Sequence, residues 1–143
     1  MKRALFFTVI LAAFVAGCAH LPKREVFDSL TYGLPLSAEV YDSKIKESME
    51  LKLLDPQSAL YKFSEPRRIW YRSDEVLEGK VNGGWGVATL INAKNTLGGY
   101  VGWNEFLFIF SGGDLVDEIH GMPLKAGKNS IYGWADEYNE IEK

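Results

Sequence analysis

The chain has 143 residues, with 16 basic side chains against 19 acidic ones, two histidines and one cysteine. That length suits one domain and leaves little room for two; with an acidic balance, and Arg67-Arg68 with Arg72 as the only local basic cluster, readable as a solvated strand edge, no basic face for counterion-driven nucleic-acid binding is visible. A lone cysteine excludes an internal disulfide, so stability has to come from packing, for which aromatic residues at 13% of the chain are a generous supply.

Lys2 and Arg3 precede Ala4 to Gly17, a run without charge that is followed by polar His20, Lys23, Arg24 and Glu25. A basic start and a short apolar run are the build of a secretory signal. The run falls short of the roughly 20 apolar residues a membrane-spanning helix needs. Val15-Ala16-Gly17-Cys18 resembles the bacterial lipobox, an aliphatic residue and two small ones before a cysteine. The resemblance implies diacylation of the Cys18 thiol, cleavage before Cys18 and acylation of the new amine. Ala19 in place of aspartate implies, by analogy with enteric lipoproteins, an address at the outer membrane. Residues 1–17 are therefore expected as a lipoprotein signal peptide, 18–36 as a tether on which Val26, Phe27 and Leu30 are candidates to dock, and 37–143 as one domain. Without Lys2 and Arg3 the mature chain carries 14 basic and 19 acidic residues, a net charge of −5.

From Ser37 to Leu54, Tyr41, Ile45, Met49 and Leu53 recur every fourth residue while charges fall between them, which predicts a long amphipathic helix. Ser37 is its expected N-cap. Asp55-Pro56 should end it, because proline disfavours the α conformation in the preceding residue, and should start a further short turn through Ala59. Beyond Leu60 the period shifts towards two. Tyr61 to Phe63 and Arg67 to Arg72 read as strand, broken by Ser64-Glu65-Pro66, and Ser73 to Gly84 as loop. Trp85, Val87, Thr89 and Ile91 alternate with smaller residues, predicting a strand. Lys94 to Gly99 is a connection in which Asn95, Gly98 and Gly99 tolerate positive φ. Tyr100 to Phe110 is the strongest strand pattern, Ser111-Gly112-Gly113-Asp114 a hairpin turn, and Leu115 to His120 the return. Trp134 to Lys143 reads as a helix or an acidic tail. The expected fold class is α+β, one long N-terminal helix packed on a three- to four-stranded antiparallel sheet.

Two stretches then stand out together. Leu54-Asp55-Pro56-Gln57-Ser58-Ala59-Leu60-Tyr61 resembles an "LkDPxSAxy" motif, and Asn92-Ala93-Lys94-Asn95-Thr96-Leu97-Gly98-Gly99-Tyr100-Val101-Gly102 resembles "NAKNsxGGYxG". The pair is similar to a family of small bacterial envelope proteins, many of them lipoproteins, over roughly Ile45 to Ser111. Leu97 departs from the aromatic residue usual at its position. The resemblance implies a shared structural core built on Asp55, Pro56, Ser58, Ala59, Asn92, Lys94, Asn95, Gly98, Gly99, Tyr100 and Gly102, and an envelope address, but no reaction.

Candidate chemistry is sparse. Cys18 is committed to lipid, His20 lies beside it, and no serine sits in a nucleophile-elbow context near His120. Asp117, Glu118 and His120 cannot share one face of a strand, so no metal site is expected, and no cofactor. Glu105, an acid within an apolar strand, and the Asp117/His120 pair are the residues an enzyme acting on cell-wall material would have to use. Gly98-Gly99 lacks phosphate-loop spacing, and Asn92 and Asn95 are expected to fix that turn through side-chain-to-backbone hydrogen bonds. Trp85, Trp103, Phe106 and Trp134 are candidates for a partner surface, or else fill the core. The leading expectation is a non-enzymatic binding or accessory module, lipid-anchored in the inner leaflet of the outer membrane and facing the periplasm. Its partners would be the membrane and a protein of the envelope, with no nucleic acid. The alternatives are an inhibitor of an exogenous enzyme such as lysozyme, a cell-wall-acting hydrolase, and a purely structural lipoprotein.

Overall fold

The structure, a computed structural model, describes residues 21–73, 79–121 and 131–141. Cys18 and the expected signal, residues 1–17, lie outside the described residues. The elements are α1 (Arg24–Asp28), α2 (Ala38–Glu50), a 3-10 turn (Pro56–Ser58), β1 (Leu60–Phe63), β2 (Arg67–Arg72), β3 (Val81–Lys94), β4 (Tyr100–Ser111), β5 (Asp114–His120), β6 (Tyr132–Trp134), a second 3-10 turn (Ala135–Glu137) and α3 (Tyr138–Ile141).

The expected α+β architecture, one long N-terminal helix on three to four strands, is overturned. Among the described residues six antiparallel strands form one sheet in the order β5-β4-β3-β2-β6, with β1 also paired to β3, and the helices are short. α2 spans 13 residues and buries only Ile45 and Met49. It stops at Glu50 because the chain then unwinds, leaving Leu51 95% exposed while Leu53 packs on the core. One lengthened strand and one added strand account for the rest of the difference. β3 begins four residues before Trp85, in a glycine-rich stretch that reads as loop, and Tyr132–Trp134 joins the edge of β2.

The glycines of β3 are a structural requirement. A Cβ on Gly86 would lie 2.6 Å from Cζ3 of Trp134, and one on Gly83 would lie 2.5 Å from the carbonyl oxygen of Thr31. Strand glycine commonly marks such close approaches. β1 and β2 share β3 as neighbour end to end: β1 pairs with Thr89 to Asn92, β2 with Val81 to Gly86. Between them Ser64 stitches the seam, its N–H donating to the Ala88 carbonyl (2.8 Å) and its hydroxyl oxygen accepting the Ala88 N–H (3.0 Å). Gly112 (φ +61°) and Gly113 (φ +90°) make the two-residue β4–β5 turn, the both-positive pattern that matches strand twist.

Period-two alternation sorts the side chains into two buried clusters. On one face Ile45 and Met49 of α2 meet Val87, Ile91, Phe108 and Phe110. On the other, Ile69, Tyr71, Leu107, Ile109, Tyr132 and Trp134 pack together. Trp134 of β6 reaches past β2 to Gly86 of β3, which a sheet curled towards this second face allows, as twisted sheets do.

Candidate functional site

Both motifs fall at one end of the sheet. Asp55 caps the 3-10 turn: its carboxylate accepts the Ser58 N–H (3.3 Å) and the Ser58 hydroxyl (2.7 Å). Pro56 at the first helical position suits the turn, since its missing N–H would have had no partner there. Lys94, at the end of β3, brings Nζ to 3.5 Å from the same carboxylate. Tyr100, at the start of β4, donates its hydroxyl to the Ser58 carbonyl (2.9 Å), and Lys94 Nζ lies 5.5 Å from the Tyr100 ring centroid. Asp55, Ser58, Tyr100 and Lys94 therefore close a circuit that clamps the 3-10 turn to the β3–β4 hairpin. The Ser58 hydroxyl bond, reinforced by the Lys94 charge and opposed by desolvation, holds the Asp55 carboxyl below its ordinary value of 3.8.

The hairpin turn is held by asparagine. Asn95 Oδ1 accepts the N–H groups of Leu97 (3.0 Å) and Gly99 (3.1 Å), and the Asn95 and Gly99 backbones pair at 2.9 Å. Gly98 has φ +78°, whereas Gly99 stays out of the left-handed region, which corrects the expectation that both would adopt it. The ladder shifts register between Asn92 and Lys94, where β4 carries one extra residue. Gly102 takes φ +100° in that bulge and its N–H donates to Asn92 Oδ1 (3.0 Å). Ala59 is the extended residue through which the turn enters β1. The polar side chains of this group, Asp55, Ser58, Asn92, Lys94, Asn95 and Tyr100, are each engaged with backbone or with another member, an arrangement that shapes a surface.

That surface is apolar. Leu60 and Trp103 flank Asn92 in register, so the three share a face, and Lys62 Nζ sits 4.3 Å over the Trp103 ring. Trp103 is 41% exposed, and Leu60, Leu97, Tyr100 and Val101 are likewise open to solvent at the same end. Of the four aromatic residues considered for a partner surface, Trp103 alone is there. Trp134 is buried under Gly86 with the Arg67 guanidinium 4.5 Å over its ring, and Phe106 is half-buried, stacked on His120 at 4.4 Å. Trp85 is half-buried in the middle of β3, under Arg68. The correction follows from alternation: Phe106 and Trp85 fall on the face that α2 covers, and Trp134 turns inward as β6 joins the curled sheet.

The residues proposed for hydrolysis are not assembled together. Register places His120 opposite Phe106 and Asp117 opposite Ile109, on opposite faces of β5. Glu118 shares the His120 face but is engaged by the Ser48 hydroxyl (2.7 Å) and by Lys52. Glu105 is exposed, on the same face as Lys62. Among the described residues no three histidine, cysteine or carboxylate side chains lie close enough to hold a metal ion. Comparison with family models, curated proteins and solved structures finds no match to this chain.

Proposed function

We propose that the protein is a non-enzymatic binding module of the bacterial envelope, held by acyl chains on Cys18 in the inner leaflet of the outer membrane, that grips a protein partner with the hairpin end of its sheet. The observation that carries this reading is the grouping of Leu60, Leu97, Tyr100, Val101 and Trp103, all exposed, over a clamp of hydrogen bonds that fixes the backbone beneath them. Exposed aromatic and aliphatic side chains on a rigid support add contact area at small entropic cost. The lipobox-like run before Cys18 supports the anchor, and the acidic mature chain suits a protein partner better than a nucleic acid.

Two measurements test it. Intact mass spectrometry of the mature chain should find Cys18 at the N-terminus with its acyl groups. Photo-crosslinking from position 101 in living cells should yield a discrete adduct that Trp103→Ser and Leu97→Asp abolish without lowering the melting temperature. Adducts unchanged by both substitutions would remove this surface from the account.

A further inference from the structure

The stretch before α2 is bound to the domain along its length. Pro22 is buried, and its carbonyl accepts the hydroxyl of Tyr138, itself 1% exposed. The Phe27 and Tyr138 rings stack with centroids 3.8 Å apart and planes 11° from parallel. Arg24 lies 5.7 Å from the same ring and donates to Asn139. Farther on, Tyr32 meets the Arg68 guanidinium at 5.4 Å, and Gly83 admits the Thr31 carbonyl. Residues 22–32 thus form a strap laid over α3 and the start of β3.

The strap leaves little free chain. Pro22 is four residues from Cys18, and an extended chain of that length spans at most about 14 Å. Acyl chains on Cys18 would hold its backbone at the headgroup boundary. We infer that the corner of the fold made by α1 and α3 rests on the bilayer that carries the acyl chains, so that the domain meets a lipid surface through residues 22–28 and 138–140. This rests on the acylation stated under Proposed function. The charges exposed on α1 and before it cancel, Lys23 and Arg24 against Glu25 and Asp28, and Val26 is 40% exposed among them. With exposed Glu140 the surface carries one net negative charge, so it suits zwitterionic lipid and does not depend on anionic headgroups, whose pull on a protein scales with its excess of basic residues.

The mature acylated chain offers a direct test, because an acylated Cys18 leaves no free thiol and an introduced cysteine is then the single labelling site. Glu140→Cys and Leu97→Cys, both at exposed positions, would each carry a fluorophore in phosphatidylcholine vesicles doped with a headgroup spin-labelled quencher. Glu140 is remote from Cys18 in sequence and comes near the lipid only through the docked strap. Stronger quenching at position 140 than at 97, unchanged by salt, is the expected result. Equal quenching, or stronger quenching at 97, overturns the inference. Adding Phe27→Ala should reduce quenching at 140 to the level at 97, and persistence there would show that the strap does not set the contact. The comparison in the parent background stands alone should Phe27→Ala fold poorly. A bare Cys18 thiol in the mass spectrum would instead remove the anchor itself, a separate readout.

Discussion

Gly86→Ala is the sharpest test of the curled sheet. The new methyl carbon would sit 2.6 Å from Trp134 Cζ3, 3.0 Å from Cη2 and 3.2 Å from Ile69 Cδ1, where apolar carbons prefer about 3.5–4.0 Å. The indole would have to retreat by about 1 Å to restore that contact. It has little room to move: Trp134 is 4% exposed within its cluster, and the Arg67 guanidinium, bound to Asp136 at 2.7 Å and Glu137 at 3.0 Å, lies 4.5 Å over its ring. Overpacking of this kind costs about 1–3 kcal/mol. Replacing glycine by alanine would, at an unstrained site, stabilise by about 0.4–1 kcal/mol through the unfolded chain, so the sign of the result reveals which effect wins. A net loss of about 1–2 kcal/mol is expected, lowering the melting temperature by about 4 °C per kcal/mol. Urea titration and thermal melting followed by circular dichroism would measure it. In a Trp134→Phe background, where the far ring edge is gone, the same substitution should be neutral or stabilising. A melting temperature equal to or above that of the parent for Gly86→Ala alone would refute the close packing of β6 over β3.

Other expectations follow from the same contacts. Ile45→Ala, which empties a fully buried position facing Val87 and Phe108, should cost about 2–5 kcal/mol in urea unfolding; a loss within the scatter of surface substitutions would mean that α2 is not seated there. Because Asp55 is held below 3.8 in the folded chain, its contribution to stability is complete above that pH and lost as pH falls through the lower folded value. The stability gap between parent and Asp55→Asn, measured across pH, should accordingly narrow below 3.8, and a constant gap into acid would discount the Ser58–Lys94 contacts. Gly98→Val should destabilise by more than about 1 kcal/mol because valine is strained at positive φ. Gly99→Ala should melt like the parent, since the nearest atom to its new carbon is Asn95 Oδ1 at 3.7 Å; equal effects of the two would reassign the turn.

What the residues disclosed beforehand was local. The Asp55 cap, the Asn95 turn and the Gly112-Gly113 hairpin are set by side chains within a few positions of the backbone they bind, and each carries a signature in residue type. Contacts between distant segments carry none. The Asp55–Lys94 pair and the Tyr100–Ser58 bond join residues about forty apart, so the two motifs read as separate stretches although they build one clamp. The stretch around Gly83 and Gly84 reads as loop because glycine is disfavoured in strands on its own account. Its place in β3 depends on close approaches of the Thr31 and Phe110 carbonyls, neither of them near in sequence. Trp134 likewise looks like a surface aromatic until β6 pairs with β2. Of Val26, Phe27 and Leu30, the residues expected to dock, Phe27 stacks on Tyr138, a partner at the other end of the chain that its neighbours in sequence do not announce.

The seam at Ser64 has a consequence for motion. Since β3 is flanked on that side by two separately hydrogen-bonded strands, the hairpin end can loosen from β1 while β2 and β6 stay zipped to the other half. Such a molecule opens in parts, with amide protons near Ile91 exchanging more readily than those near Trp85. The end that offers apolar side chains to a partner then keeps its shape only while the clamp of Asp55, Ser58, Lys94 and Tyr100 holds, and its release would leave intact the half that carries the strap.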